Sequence, residues 1–196
     1  MIVFAREVFL CKCSTHVPAS DAGDRLAREL RFLRGGAEHL KMLDPAHHNA
    51  EHVEDFRARL ARGEHWLLGL LGDRVATYTW LHTRPRCEYP YLPGCAFDLP
   101  DDFGYGYDAW TPPELRGAGL RRRAFAEELR VLRDAGRAWE ASYFVAHQLE
   151  GARRSLALAG IAIEALWRVS LAPDRHLEAA PLVPAPGARP AFTPRS

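Results

Sequence analysis

The sequence contains no uninterrupted apolar run of about 18 residues, the length that a membrane-spanning helix needs. The first ten residues, MIVFAREVFL, carry Arg6 and Glu7 inside the apolar stretch and lack the small-residue cleavage site of a signal peptide. With only four cysteines and no recognisable leader, we expect reduced thiols and a cytoplasmic location. The formal net charge is +1, so bulk charge gives no reason to expect nucleic acid or membrane partners.

Patterns of metal ligands are also scarce. Cys11 and Cys13 lie two apart, but no second cysteine pair follows, so we interpret both as small apolar side chains. His48 and His52 lie four apart, and Glu51 is not where the H-E-x-x-H pattern of metalloproteases requires it. We therefore interpret these histidines as a solvated helix face and expect no metal cofactor.

The length and composition of the chain suit one globular domain. The 196 residues are enough for a core of their own, and 47% of them are hydrophobic. From residue 181 the sequence turns rich in proline and alanine, PLVPAPGARPAFTPRS, and has little to bury. We predict a single domain over residues 1–180 and a disordered tail over residues 181–196.

The first half of the chain predicts two helices between strands. A strand is expected over residues 2–13, one helix from Ser20 to the Gly35-Gly36 pair, and a second helix from Pro45 to Gly63. Residues 66–71 and 75–82 predict two strands joined as a hairpin. The long loop over residues 83–102 would either cover a substrate pocket or form passive surface.

The most informative stretch covers residues 103–136, FGYGYDAWTPPELRGAGLRRRAFAEELRVLRDAG. Residues 103–110 alternate like a strand, and the proline pair after them ends it. The turn RGAG then leads into an amphipathic helix that Gly136 ends. Free backbone N–H groups and the helix dipole make such a helix start an anion site, into which a diphosphate fits. The arginines at 116, 121, 122 and 123 add positive charge around the turn.

The segment YDAWTPPELRGAGLRR resembles the acyl-CoA pyrophosphate motif of the GNAT superfamily of N-acetyltransferases. That motif reads Arg or Gln, two residues, Gly, one residue, then Gly or Ala. Arg116 opens it here and Gly119 fills the fourth place, whereas Arg121 departs from the pattern at the sixth. The resemblance covers roughly residues 1–171 and implies an α+β (α/β) fold. Its mixed central sheet would have about six to seven strands, largely antiparallel with one parallel pair, flanked by about four helices.

The resemblance also implies acetyl-CoA as co-substrate. The backbone of Ala109, Trp110 and Thr111 would contact the pantetheine arm, and the parallel strands over residues 103–111 and 139–147 would splay apart to give the arm a slot. The pyrophosphate would be held by the residues of the motif turn and helix start, which are Arg116, Gly117, Ala118, Gly119, Leu120 and Arg121.

Amine acylation by a thioester also needs a group that removes a proton from the amine. Asp108 lies on the motif strand beside the expected thioester, with Tyr105 and Tyr107 on the opposite face. His147 would end the partner strand, and a neutral imidazole is a suitable base near pH 7. Asp108, Tyr105 and His147 are the catalytic candidates, while structural roles for each of them stay open.

The group that protonates the leaving thiolate is missing from its usual position. Many GNAT enzymes carry a Tyr for this step, four residues before a Gly-Phe pair. Aligning that Gly with Gly160 puts Leu156 in the Tyr place. Leucine cannot donate a proton, so solvent or another group would have to do so.

Three functional hypotheses follow. The first is an N-acetyltransferase that moves an acetyl or other acyl group from acetyl-CoA to a primary amine of a small molecule or peptide. The second is a relative that binds CoA or a partner but has lost the chemistry. The third is a basic-helix binding module, which Glu127, Glu128 and the low net charge oppose. No motif specifies the acceptor, the acyl-chain length or the oligomeric state.

Overall fold

The computed structural model describes residues 8–16, 25–84, 86–88, 96–98, 100–158, 160–163, 165–171, 177–183 and 193–194. The helices in these segments are α1 (Arg25–Arg28), α2 (Ala50–Ala61), α3 (Leu120–Asp134) and α4 (Ala146–Leu158). The strands are β1 (Val8–Ser14), β2 (Arg31–Gly35), β3 (His65–Leu71), β4 (Arg74–His82), β5 (Arg86–Glu88), β6 (Ala96–Asp98), β7 (Phe103–Trp110), β8 (Trp139–Val145), β9 (Ala165–Leu171), β10 (Leu177–Val183) and β11 (Thr193–Pro194).

The main sheet is mixed, and its strand order is β10-β9-β1-β8-β7-β4-β3-β2. β7 and β8 run parallel, whereas the other described neighbours in this sheet are antiparallel. The predicted class of fold is therefore confirmed, although the sheet has eight strands and not six or seven. A small second sheet has the order β11-β6-β5, and its strands β5 and β6 fall within the predicted long loop.

The two faces of the sheet pack against different helices, because successive side chains of a strand point to opposite sides. On one face, Phe56 of α2 packs among the rings of Trp66, Tyr78 and Trp80. On the other face α3 packs through its apolar stripe, and Leu132 forms a buried cluster with residues of β3 and β4. None of the described helices is long and apolar enough to cross a membrane.

The first predicted helix is wrong in its second half. Residues 25–28 are helical, but Arg31–Gly35 form β2, in which Leu33 pairs with Leu68 of β3. Pairing with a buried strand outweighs the helical spacing of the leucines. Gly35 belongs in this strand because a side chain there would collide with the Trp66 ring. Residues 17–24, where the predicted helix begins, lie outside the described residues.

The second predicted helix begins later than expected. Asn49 caps α2 by accepting a hydrogen bond from the His52 N–H at 3.0 Å, and residues 44–48 form a turn before it. His48 therefore precedes the helix and is buried, which corrects the solvated face expected for it. The side chain of Asn49 thus satisfies an N–H of the first helical turn, which has no partner within the helix.

The central strand and helix are confirmed. The hairpin β3–β4, strand β7 and helix α3 lie where the sequence predicted them, and Gly136 ends α3 with a φ of 76°. β8 ends at Val145, and α4 follows at once, six residues before the expected helix start. β10 continues through Val183 and pairs with β9, so strand pairing extends past residue 180. The division into a domain and a disordered tail stays a prediction.

Candidate functional site

The parallel strands β7 and β8 separate halfway along their length. Their ladder runs from the Phe103–Trp139 pair to the Gly106–Ser142 pair and ends there. Beyond that point β7 continues to Trp110 on β4, whereas β8 continues to Val145 on β1. The facing backbone edges past Gly106 and Ser142 thus share no ladder, which is the arrangement that the resemblance led us to expect. A slot for the thioester arm between them stays a prediction.

A β-bulge interrupts β7 just past the end of its ladder with β8. Tyr78 pairs with Trp110 and Trp80 pairs with Tyr107, so Asp108 and Ala109 together lie opposite Thr79. Asp108 has a φ of 49°, and among the described residues other than glycine it alone has a positive φ. Aspartate tolerates this left-handed conformation better than most residues. The bulge turns the end of β7 and re-aims its side chains.

The Asp108 carboxylate is held by a buried guanidinium. Nη1 of Arg59 on α2 donates to Oδ2 of Asp108 at 2.6 Å, and Nη2 donates to the carboxylate of Asp55. Burial acts to lower the pKa of Arg59, but the charges of Asp108 and Asp55 outweigh it and raise this pKa above its ordinary value. The guanidinium also lies 5.2 Å from the ring centre of Tyr107. Because Arg59 contacts both side chains, the bulge brings Asp108 and Tyr107 to the same face of the sheet. The prediction that they lie on opposite faces of the strand is wrong.

The other catalytic candidates lie in different surroundings. Tyr105 is 1% exposed and its ring stacks on Tyr107 with centres 5.4 Å apart, inside the core that α2 covers. His147 lies in the first turn of α4 and does not end β8, and its side chain is outside the described part of the chain. The structure thus brings Asp108 and Tyr107 together through Arg59. Catalytic roles for Asp108, Tyr105 and His147 stay predictions.

The predicted anion site has the geometry of an open helix start. Gly117 and Gly119 have φ values of 85° and 72°, which glycine adopts without strain. A Cβ on Gly117 would meet nothing within 4 Å. The first helix bond to the turn runs from the Arg123 N–H to the Gly119 carbonyl. No described group accepts from the N–H groups of residues 120–122, so they remain available to a bound anion.

The side chains around the turn have other contacts. Leu120 is buried in the core between α1 and α3, so only its backbone can reach a ligand. Nε of Arg116 donates to the Thr111 carbonyl at 3.1 Å, which ties the turn to the end of β7. Thr77 donates to the Trp110 carbonyl at 2.9 Å, and its hydroxyl lies 3.0 Å from that of Thr111. Ala109 is exposed, and Ala118 is half-buried.

Arg121 points inward to a buried pair of carboxyl groups. Its guanidinium is bonded to Glu128, which like Glu140 has no exposed surface. Burial, and then the charge of Glu128, raises the pKa of Glu140 well above its ordinary value. A Cβ on Gly106 would collide with the Glu140 carboxylate, so glycine in the last pair of the β7–β8 ladder makes room for these carboxyl groups. Contact of Arg121 with a pyrophosphate stays a prediction.

The sequence analysis missed the contacts of two important groups. Arg59 follows Asp55 by four residues, a spacing typical of a surface ion pair, and nothing in the sequence marks it as buried. His48 bonds the Tyr78 hydroxyl through Nε2 at 3.1 Å, although 29 residues separate them. Both depend on contacts between distant segments, which local periodicity does not encode.

Comparison with models of known families finds no match, and comparison with curated proteins finds none either. Solved structures do match. A GNAT-family acetyltransferase from Colwellia psychrerythraea has a TM-score of 0.56 at 10% identity, over 82% of this chain and 54% of that chain. A GCN5-related N-acetyltransferase from Sphaerobacter thermophilus has a TM-score of 0.54 at 13% identity, over 96% of this chain and 55% of that one. The chain therefore spans about half the length of these structures.

Proposed function

The chain has the fold of the GNAT N-acetyltransferases, and from that premise we propose that it transfers an acetyl group from acetyl-CoA to a primary amine. The proposal concerns the activity and the substrates, because a shared fold alone fixes neither. The acceptor would be an amine of a small molecule or peptide.

The separation of β7 and β8 past Gly106 and Ser142 is the observation that carries this proposal. A thioester arm is long and thin and has amide groups, so it fits between two strands whose backbone edges are free of each other. The bulge at Asp108 follows the point on β7 where the ladder ends, and the glycine turn that starts α3 follows β7 along the chain. One elongated ligand with a diphosphate at one end could occupy all three features.

Each part of the site would have a separate task. The N–H groups at the start of α3 would hold the pyrophosphate, with Arg116 beside them and Gly117 and Gly119 leaving space. The backbone of residues 109–111 would hold the pantetheine arm. Acetyl-CoA supplies the activated acyl group. Holding it in the slot next to the acceptor makes the attack effectively intramolecular.

A catalytically inactive CoA-binding protein is the second candidate. Leu156, in the place of the proton-donating Tyr, is 5% exposed and buried, and Arg59 holds the carboxylate of Asp108. These observations favour loss of chemistry while leaving the slot intact. The two candidates predict the same binding of acetyl-CoA and differ in turnover.

Thiol release from acetyl-CoA in a mixture of primary amines separates the two candidates. We expect acetyl-CoA to raise the melting temperature, because it binds only the folded protein, and thiol release to depend on the amine. Binding without amine-dependent thiol release would support the inactive relative. Absence of binding at millimolar acetyl-CoA would contradict both.

A further inference from the structure

A cavity of about 270 Å³ lies beside the end of β7, on the side of the sheet that α2 covers. The turn before α2 forms one wall through His47 and His48, and the start of β4 forms another through Arg74 and Val75. Trp110, the residue directly after the bulge, lines the cavity and packs against the core. The cavity has the size of a small ligand site and adjoins the strand that borders the proposed thioester slot.

The two neighbouring histidines of this cavity differ in what they can do. Nδ1 of His48 lies 3.2 Å from the Asp44 carbonyl, and its Nε2 lies 3.1 Å from the Tyr78 hydroxyl, so neither nitrogen is available to a ligand. His47 is exposed and packs its ring 5.4 Å from that of Trp110. Within the described residues, no hydrogen bond or ion pair engages its imidazole. His48 thus positions the turn, and His47 presents a free imidazole to the cavity.

The charge of the lining favours a cation. Asp44, Asp73 and Glu114 contribute carboxylates, and Arg74 contributes a guanidinium, so acidic groups outnumber basic ones among the described lining residues. The Trp110 ring adds a surface that attracts cations. A protonated amine would therefore concentrate here, and it would meet an imidazole that can accept its proton.

We infer that this cavity receives the acceptor, an aliphatic amine with a second cationic group, and that His47 is the general base. The inference rests on the proposed acyl transfer. His47 takes one proton from the ammonium group, and the neutral nitrogen attacks the thioester carbonyl carbon. The C–N bond forms and the C–S bond breaks. The thiolate leaves with the bonding electron pair and takes up the second nitrogen proton, so that amide, free thiol and imidazolium result.

Three acceptors of equal chain length test the class of substrate. Hexylamine, hexamethylenediamine and aminocaproate share one primary amine and differ at the far end, which is apolar, cationic or anionic. We expect thiol release from acetyl-CoA to have a kcat/KM about tenfold higher for the diamine than for aminocaproate. A preference for aminocaproate, or no transfer to any of the three while acetyl-CoA binds, would overturn the inference about this cavity.

His47→Gln tests the base, and His16→Gln is its matched control. His16 is also exposed, and it follows β1 near the beginning of β8, at the opposite end of the sheet. We expect His47→Gln to lower kcat for the diamine about 100-fold, to keep wild-type affinity for acetyl-CoA, and to lose the fall in rate on the acid side of the pH profile. His16→Gln should match the wild type in all three measurements.

Equal kcat in His47→Gln and wild type would overturn the role of His47. A loss of acetyl-CoA affinity equal to the loss of kcat would also overturn it, since the defect would then lie in cofactor binding or folding. If the wild-type protein does not bind acetyl-CoA, the proposed function fails and this inference fails with it. If the protein binds acetyl-CoA but does not show the expected acceptor preference, only the inference about the cavity fails.

Discussion

At the residue scale, Asp108 combines a left-handed backbone with a buried ionic partner. The left-handed backbone lets the bulge form, and the ion pair with Arg59 ties β7 to α2. Such a carboxylate stabilises the fold whether or not it takes part in catalysis, because removing it leaves a buried guanidinium with one partner fewer. The sequence indicated the position of Asp108 but neither its backbone conformation nor its partner.

Asp108→Asn should therefore lower the free energy of unfolding by about 1–3 kcal/mol. Asparagine tolerates the same left-handed backbone, so the change isolates the charge. Asp55→Asn is the matched control, because its side chain is 47% exposed against 24% for Asp108 and both bind Arg59. It should cost less than about 1 kcal/mol. Urea unfolding measures both, and an equal or larger loss at Asp55 would contradict this account.

The buried Glu140 predicts a pH dependence of stability. Its raised pKa means that the folded protein holds this proton more tightly than the unfolded chain does. The resulting stability is present below the ordinary glutamate pKa and is lost as the pH rises through the raised one. As the pH rises over that range, the free energy of unfolding of Glu140→Gln should increase by about 1 kcal/mol or more relative to that of the wild type, because the glutamine side chain stays neutral.

Urea unfolding at a series of pH values compares Glu140→Gln with wild type. The exposed Glu150 provides the control variant, Glu150→Gln. Its free energy of unfolding should differ from that of the wild type by the same amount at every pH in this range. A pH-independent difference for Glu140→Gln would show that the buried carboxyl group titrates normally.

At the element scale, the segments with strong local signals were predicted and those defined by distant partners were not. β7 and α3 alternate or repeat clearly and are bounded by prolines and glycines, so their positions follow from the sequence. β2 depends on β3 as its partner, and its Leu33 continues the helical spacing of Leu26 and Leu30. The glycine turn before α3 was likewise predicted from local residues, whereas the cavity beside Trp110 needs three separate segments.

Strand β10 gives a prediction about truncation. Its residues 177–183 pair with β9, including Pro181 opposite Trp167. A chain ending after residue 183 should melt like the full protein, while one ending after residue 176 should melt at least about 5 °C lower, because β9 loses its neighbour. Thermal unfolding followed by circular dichroism measures the difference. Equal melting temperatures would mean that this pairing adds no stability.

At the scale of the whole molecule, the sheet separates two environments. The α2 side is aromatic and holds Arg59, His48 and the cavity. The α3 side is mainly aliphatic and holds the buried acids Glu128 and Glu140, and α3 begins at the predicted anion turn. A slot between β7 and β8, where their ladder ends, would join the two sides, so that a cofactor bound at the helix start would extend toward the cavity. The proposed reaction would then bring cofactor and acceptor together from opposite faces.

Calorimetric titration of CoA into wild type, Gly119→Ala and Gly136→Ala tests this account most directly. Both glycines have a positive φ, at 72° and 76°, and they flank the two ends of α3, so both variants carry a similar backbone cost of about 1–2 kcal/mol. Only Gly119 would face the pyrophosphate. The account predicts that wild type and Gly136→Ala bind CoA alike and that Gly119→Ala binds at least about tenfold more weakly. Equal affinity in all three proteins, or no binding to the wild type, would contradict it.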